Sequence, residues 1–423
     1  MRRREKGFQS GYKSRAKHIK PTVWRRRWNI FGFLKGLKMI DRDMLKNLDW
    51  MTLGLVVFLL LSSLVAIIIA TANPYTGEEG LGQIASQFDL TYVLKQSLWI
   101  IVGGVALFLM LMMDYIALRS YATIIYWVMV GVLASLFVLA TATRGTLSWF
   151  KFGEVGFQPS EIAKIAIIIM LSKIITDIKD RYGRLERWRD FGKIMLYFAI
   201  PFGLIAAQPD FGTAMVYLVV LIGILFMAKA SWKYFATLFA ALGTLAPIAW
   251  FFILDKDQKG RILSFLDLSF DPSGAGYNVL QSKLAIGSGQ LTGKGFQPAM
   301  SQLGYIPERY TDFIFAVIAE SFGFIGAALI ITVFALLIFR LFKLAQQVHD
   351  GFGSLIIIGI LAMMAFHVFE NIAMTMGIMP ITGIPLPFVS YGGSSMLTNM
   401  LAIGIVLNIS MRNRRRTGLG ITR

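Results

Sequence analysis

The chain has 423 residues, 56% of them hydrophobic, with a mean hydropathy of +0.63. Soluble domains run at about 45–50% apolar, so this composition is that of a protein crossing membranes many times. The absence of cysteine excludes a disulfide framework, a thiol nucleophile and thiolate metal sites, and three scattered histidines (His18, His349, His367) make no metal cluster. The net charge of +18 does not point to nucleic acid, because residues 1–40 alone hold 13 Lys/Arg against one acid, Glu5.

That tail, residues 1–48, has no apolar run long enough for a signal peptide. It reads as a basic cytoplasmic arm, either a solvated topogenic flank or a segment lying on anionic membrane lipid. About 20 apolar residues span a bilayer as a helix. Ten such segments follow in chain order: 49–72, 91–113, 120–141, 160–176, 194–208, 211–229, 232–253, 312–339, 353–376 and 391–411. The expected fold is therefore an all-α polytopic membrane protein of about ten transmembrane helices, with a core domain over 49–411 and a short basic tail over 412–423.

Loop charge orients it. Residues 173–193 carry seven Lys/Arg against four acids, and 411–423 carry five Arg and no acid, so both are expected inside. Residues 73–90 carry three acids and no base, and are expected outside. An even number of spans returns both termini to the cytoplasm, and the long segment 254–311, between helices 7 and 8, then faces outward.

The outer side collects polar, glycine-rich sequence: GTLSWFKFGEVGFQPSEIAK (145–164), QPDFGTA (208–214), DPSGAGYNVLQSKLAIGSGQLTGKG (271–295), PERYTDFIFAVIAE (307–320) and GIMPITGIPLPFVSYGGSS (377–395). These make four outward regions, since 271–295 and 307–320 belong to the one long segment, and their Gly, Pro, Ser and single charges suggest one shared cavity. Charge within the spans supports this, since it is costly there and usually faces a wet cavity or the bundle interior. Glu161 and Lys164, three apart, share a helix face and form either a functional pair or a packing ion pair. Asp312 and Glu320 fall on the eighth expected helix; His367 and Glu370, on the ninth, read first as packing groups. SGQLTGKG is no phosphate-binding loop, because Ser288 stands where that pattern needs Gly and Gly295 where it needs Ser or Thr.

These motifs, in this order, resemble the SEDS family (shape, elongation, division and sporulation) of membrane peptidoglycan polymerases, from about Asp49 to Arg416. TGIPLPFVSYGG and PERYTDF are similar to its elongation branch, RodA, more than to its division branch, FtsW. The resemblance implies a peptidoglycan glycosyltransferase, active in cell elongation and cell shape, that polymerises lipid II at the outer face of the bacterial cytoplasmic membrane. Lipid II is the undecaprenyl-diphosphate-linked disaccharide peptide. An acceptor hydroxyl attacks its C1, and the polyprenyl diphosphate leaves with inversion.

Such chemistry needs a general base, cations for the diphosphate and a groove for the lipid chain. Asp271 matches the family's essential aspartate and is the expected base. On composition alone Asp255, Asp257 and Asp267 compete with it, and an Asx-type cap is its structural alternative. Lys164 and Lys283 are the family's favoured cations, with Lys294 and Arg309 also outward. Trp149 matches a loop tryptophan that stacks on sugar or sits in the interfacial aromatic belt. Gln158, Ser160, Glu161, Gln281, Asp312, Ser390 and Tyr391 complete the expected substrate-binding set. Many relatives carry arginine where this chain has Ser148 and Gly156, which shifts diphosphate binding onto other groups such as Lys95. No cofactor is evident; Mg or Mn is implied by resemblance only, with no ligand set. The expected partners are a class B penicillin-binding protein transpeptidase, other elongation-complex membrane proteins and membrane lipids, with no nucleic acid. The competing readings are a lipid II flippase, a division-branch polymerase and a scaffold.

Overall fold

The computed structural model describes residues 46–72, 89–140, 146–153, 155–267, 270–271, 274–295 and 304–418. The basic tail up to residue 45, most of the acidic 73–90 loop and residues 419–423 lie outside the described residues. Among the described residues, twelve helices and one short hairpin follow in chain order: α1 Trp50–Thr71, α2 Leu90–Met112, α3 Tyr115–Leu139, β1 Phe150–Phe152, β2 Val155–Phe157, α4 Pro159–Tyr182, α5 Trp188–Ala206, α6 Phe211–Met227, α7 Trp232–Ile248, α8 Lys256–Leu266, α9 Ala275–Ser288, α10 Ile314–Gln347, α11 Gly351–Thr375 and α12 Gly393–Gly418.

Aspartate starts half of these helices. Asp49, Asp89, Asp114, Asp210, Asp255 and Asp350 each accept a first-turn backbone N–H at α1, α2, α3, α6, α8 and α11. A carboxylate there satisfies a donor with no intrahelical partner and meets the positive end of the helix dipole. α4 opens instead on Pro159, with its missing N–H at a position that needs none, and stops at Gly183 in the left-handed region.

Each of the ten expected segments is occupied by a helix, and among the described residues seven helices are long and apolar enough to cross a membrane. α4 and α5 carry too much charge for that criterion, and α6 is a shorter apolar helix. α4 tolerates its charge because it is the central helix, packed by α3, α5, α6, α11 and α12 and buried over most of its length. Several ends differ from the sequence expectation. α10 begins at Ile314, so Asp312 lies in the preceding turn rather than on the helix. Residues 254–311 are not an open loop, because they contain α8 and α9, helices whose polar sequence shows no membrane-like hydropathy.

Cross-helix bonds fix which ends lie together. The Arg340 guanidinium, near the end of α10, grips the Asp49 cap of α1. Arg119, at the start of α3, holds Asp177 and Asp180, at the end of α4. On α12, Asn408 and Arg412 donate to the terminal carbonyls of α2, and Asn413 donates to Gln347 at the end of α10. The start of α1 and the end of α12 therefore share one end of the bundle. The chain alternates up and down between them. At the opposite end lie β1–β2, α8, α9 and the 304–313 and 376–392 turns.

α7 stands apart. Only Tyr234, Phe235 and Leu238 are buried, while Phe239, Leu245, Ile248, Phe251 and Phe252 are exposed. Pro247 and one π turn, Ala249–Ile253, carry it into α8.

Candidate functional site

The nominated residues collect at this second end, in three clusters.

The first is built on the opening turns of α4. Lys164 Nζ donates to Glu161 Oε1 at 2.6 Å, three residues back on the same face, and lies 3.0 Å from His367 Nε2 on α11. All three side chains are essentially buried, Lys164 at 1% exposure. Above them, Gln158 donates its amide to Asp210 at 3.1 Å and its backbone N–H to Ser394 Oγ at 2.9 Å, tying α4 to the caps of α6 and α12. Burial pushes the Asp210 carboxyl above its ordinary value; the Thr213 N–H opposes this, and the nearby Glu161 adds to it. The Ser160 carbonyl accepts from Tyr217 at 3.2 Å, while Ser160 Oγ, Glu161 Oε2 and His367 Nδ1 are buried with no partner among the described residues. One turn along α11 from His367, Glu370 accepts from Thr382 at 2.9 Å.

The second cluster joins the turns before α10 and α12. Ser390 Oγ donates to the Thr311 carbonyl at 2.6 Å and accepts the Leu386 N–H at 2.8 Å, while its own carbonyl accepts from Gln96 at 3.2 Å. Tyr391 packs edge-on against Tyr92 and Tyr310, with ring centroids 5.4 and 5.8 Å away. Arg309 donates through Nε to the Ala70 carbonyl at the end of α1. The Asp312 carbonyl accepts from Asn371 at 2.8 Å.

The third is α9. Asp271 Oδ2 accepts the Ala275 N–H at 2.8 Å and so caps the helix. A Cβ on Gly274 would sit 2.2 Å from that oxygen, so the cap requires glycine there. No described residue bonds Oδ1. The cap is therefore real, and it leaves one carboxylate oxygen available. Two turns along, Lys283 lines a cavity of about 350 Å³ with Phe265, Leu266, Asp267, Val279 and Gly377. Gln281 Oε1 is buried and unpartnered among the described residues, and Ser282 ties α9 to the Thr375 carbonyl of α11 at 2.8 Å.

The glycines after α9 have a purpose the sequence did not disclose. α10 is broken at Gly323 (φ 63°, ψ −162°), which frees backbone groups that an intact helix would use itself. The 289–295 turn lies directly on this break. Lys294 and Gly295 donate to the Glu320 and Ser321 carbonyls at 3.0 and 2.9 Å, and Phe324 and Ile325 donate back to the Gln290 and Leu291 carbonyls at 2.8 and 3.2 Å. A Cβ on Gly289 or Gly293 would come within 2.0 or 2.2 Å of an α10 carbonyl oxygen. The turn is glycine-dense because backbone meets backbone, and Lys294 adds a 3.7 Å ion pair to the buried Glu320.

This geometry redistributes the expected cations. Lys164 is paired with Glu161, Lys294 faces Glu320, and Arg309 is committed to a backbone carbonyl. Of the four nominated, Lys283 makes no hydrogen bond or ion pair to a described residue. Trp149 lies over the β1–β2 hairpin, and a Cβ on Gly156 would stand 3.0 Å from its ring, so Gly156 makes room for the indole. Ser148 is buried. Asp210 and His367 belong to the first cluster yet lie outside the expected substrate-binding set. Their signal was a lone acid in QPDFGTA and a lone histidine in an apolar helix, neither of which names its partners.

Fold and clusters together define a polytopic helical membrane protein with a polar, partly unsatisfied site at one end of its bundle. The sequence profile of the FtsW/RodA/SpoVE cell cycle proteins matches residues 51–415. Over 314 residues, the chain is 36% identical to the peptidoglycan glycosyltransferase MrdB of Escherichia coli K12, covering 73% of this chain and 84% of that protein. It is 32% identical to the stage V sporulation protein E of Bacillus subtilis, covering 76% of this chain and 87% of that protein. Its fold is similar to that of a chain in a peptidoglycan synthase complex described as coordinating polymerization and crosslinking, with a TM-score of 0.70, 28% identity, and 86% and 98% of the two chains covered. The rod shape determining protein RodA of Thermus thermophilus also aligns, with a TM-score of 0.63, 26% identity, and 86% and 97% covered. The chain belongs to the FtsW/RodA/SpoVE family, the SEDS proteins.

Proposed function

We propose that this protein is a peptidoglycan glycosyltransferase that polymerises lipid II at the outer face of the cytoplasmic membrane during cell elongation. The observation that carries the reading is the family match across nearly the whole folded chain, together with the gathering of the nominated residues at one end of the bundle. The cation-rich opposite end, with Arg119, Lys179, Arg181, Arg184, Arg187, Arg189, Arg340 and Arg412, faces the cytoplasm by the positive-inside rule. Ten helices then cross the bilayer, counting α4, α5 and α6 as shielded or short spans, and both termini are cytoplasmic.

In the reaction, the Asp271 carboxylate takes the proton of the acceptor hydroxyl through the oxygen that the α9 cap leaves open. The hydroxyl oxygen bonds to C1 of the donor sugar on the face opposite the diphosphate. The C1–O bond breaks, the electron pair leaves with the diphosphate, and the configuration inverts. Lys283 stands along α9 as the cation open to the anionic leaving group, and Lys164, with Arg309, contributes field from behind it. The exposed apolar outer half of α7 leaves a lateral path by which a polyprenyl chain stays in the bilayer while its head group reaches the site. Trp149 and Tyr391 offer ring faces to sugar, and Gln158, Ser160, Glu161, Gln281, Asp312 and Ser390 shape the surrounding wall. Among the described residues no three His, Asp or Glu side chains group as metal ligands, so no step is derived through Mg or Mn.

A flippase would need a polar path through the bundle. Residues 165–171 of α4, below the Lys164 cluster, are continuous buried hydrophobics, which favours fixed outward chemistry. The partner we propose is a class B penicillin-binding protein, in keeping with the synthase complex that the fold resembles. The deciding experiment is polymerisation of purified lipid II by Asp271→Asn, which keeps a side-chain cap acceptor and removes the base. Full activity in that variant would sink the assignment. Depletion that filaments cells rather than rounding them would move the protein to the division branch.

A further inference from the structure

The reaction outlined above makes no use of His367, although this fully buried side chain lies 3.0 Å from the buried Lys164 ammonium. An ammonium has three donors and no acceptor, so the hydrogen bond between them runs from Lys164 Nζ to His367 Nε2. That direction fixes the imidazole as neutral, with its proton on Nδ1, because a second cation so close to the first is repelled in a desolvated interior. Nδ1 meets no acceptor among the described residues, and neither Glu161 Oε2 nor Ser160 Oγ meets a partner there. Three buried polar atoms without partners thus lie on His367 and on two adjacent residues of the α4 turn that carries Lys164, a pattern that polar cavities resolve with an internal water.

The charged groups around the ring are few. Glu161 and Lys164 come from α4, Asp210 from the cap of α6, and Glu370 from one turn along α11. Glu161 and His367 hold the ammonium from two helices, one through charge and one through a neutral lone pair. A second carboxylate in place of the ring would leave the group net negative; one carboxylate and one neutral imidazole fix the ammonium and leave the group neutral overall.

We propose that His367 is a positioning residue: as the Nδ1-protonated neutral imidazole it accepts a hydrogen bond from Lys164 and fixes that ammonium behind the outward site. The proposal rests on the glycosyltransferase reading only where it predicts rate; the tautomer is independent of it. The chain has three histidines, so ¹⁵N-histidine NMR of the full chain in nanodiscs gives a simple spectrum, and His367→Gln assigns the His367 signals. The expected spectrum at neutral pH shows a protonated Nδ1 and an unprotonated Nε2, with the Nε2 signal moving in Lys164→Met. A doubly protonated ring, an Nε2-protonated ring, or no response to Lys164→Met would each overturn the proposal. In lipid II polymerisation, His367→Leu is expected to lower kcat about 10- to 100-fold with KM within about twofold, and His367→Gln, which restores an acceptor, to recover most of that loss. Wild-type kcat in a folded His367→Leu protein overturns the rate claim. Should His367→Leu not fold, the NMR of the wild-type chain and of His367→Gln still decides the tautomer. A wild-type protein without transferase activity, but with the expected spectrum, would refute the glycosyltransferase reading and leave the tautomer standing.

Discussion

The two ends of the bundle treat charge in opposite ways. At one end, ions pair near the surface and lock helix to helix: Arg340 on Asp49, Arg119 on Asp177 and Asp180, Arg412 on the last carbonyls of α2. At the other, more of the charge is taken inside and left partly unsatisfied: Glu161, His367 and Glu370 each keep one buried polar atom without a partner among the described residues, against Asp190 alone of the ionisable groups at the first end. Buried polar groups are expensive unless fully paired. An end that accepts this cost is built around something that arrives later, whereas the paired end is built to hold shape.

The contrast can be broken from its largest effect downward. Asp271→Asn should lose about 10²- to 10⁴-fold in lipid II polymerisation, the usual contribution of a general base, with helix content unchanged by circular dichroism. Asp271→Ala should lose as much activity and, in addition, about 1 kcal/mol with its cap. Lys164→Met leaves Glu161 buried alone and should cost about 3–5 kcal/mol in detergent unfolding. Combining it with Glu161→Leu should restore most of that loss; equal damage in the double variant would mean the pair's value is not electrostatic. Gly289→Ala forces a Cβ against the Ala319 carbonyl and should cost about 1–3 kcal/mol, with faster hydrogen exchange over 289–295.

At the paired end, burial pushes the Asp49 carboxyl up, but the Arg340 guanidinium and Thr52 outweigh it and hold the group below its ordinary value of 3.8. A lowered folded value gives stability that is complete above the ordinary carboxylate range and is lost as pH falls through the lowered one. Arg340→Ala should therefore be less stable than wild type at pH 6, and the gap should narrow towards pH 3. A gap that stays constant over that range would remove Asp49 from the account. Smallest of all, Arg119→Ala should change stability by no more than about 1 kcal/mol, since its pair is partly exposed.

Much of this was legible in advance. Long apolar segments announce themselves residue by residue, so every expected span holds a helix, and the polar, glycine-rich motifs meet at one end of the bundle. The glycine-rich segment was legible as unusual but not as to cause. Its glycines at 289 and 293 serve a backbone contact with a helix break at Gly323, some thirty residues later in the chain, and only Gly274 serves the carboxylate beside it. The Glu161–Lys164 pair was visible from its helical spacing, while its third member was not.

The sequence by itself determined which segments are apolar enough to leave water, where charge accumulates, and which family the ordered motifs belong to. These are sums over neighbouring residues and need no folded chain. The tertiary structure alone decided that Lys164 is buried between Glu161 and a histidine 203 positions away, that Lys294 and Arg309 are already engaged, and that Lys283 is open. Hydropathy is local, but whether a charge is paired, buried or available depends on which distant helices pack beside it.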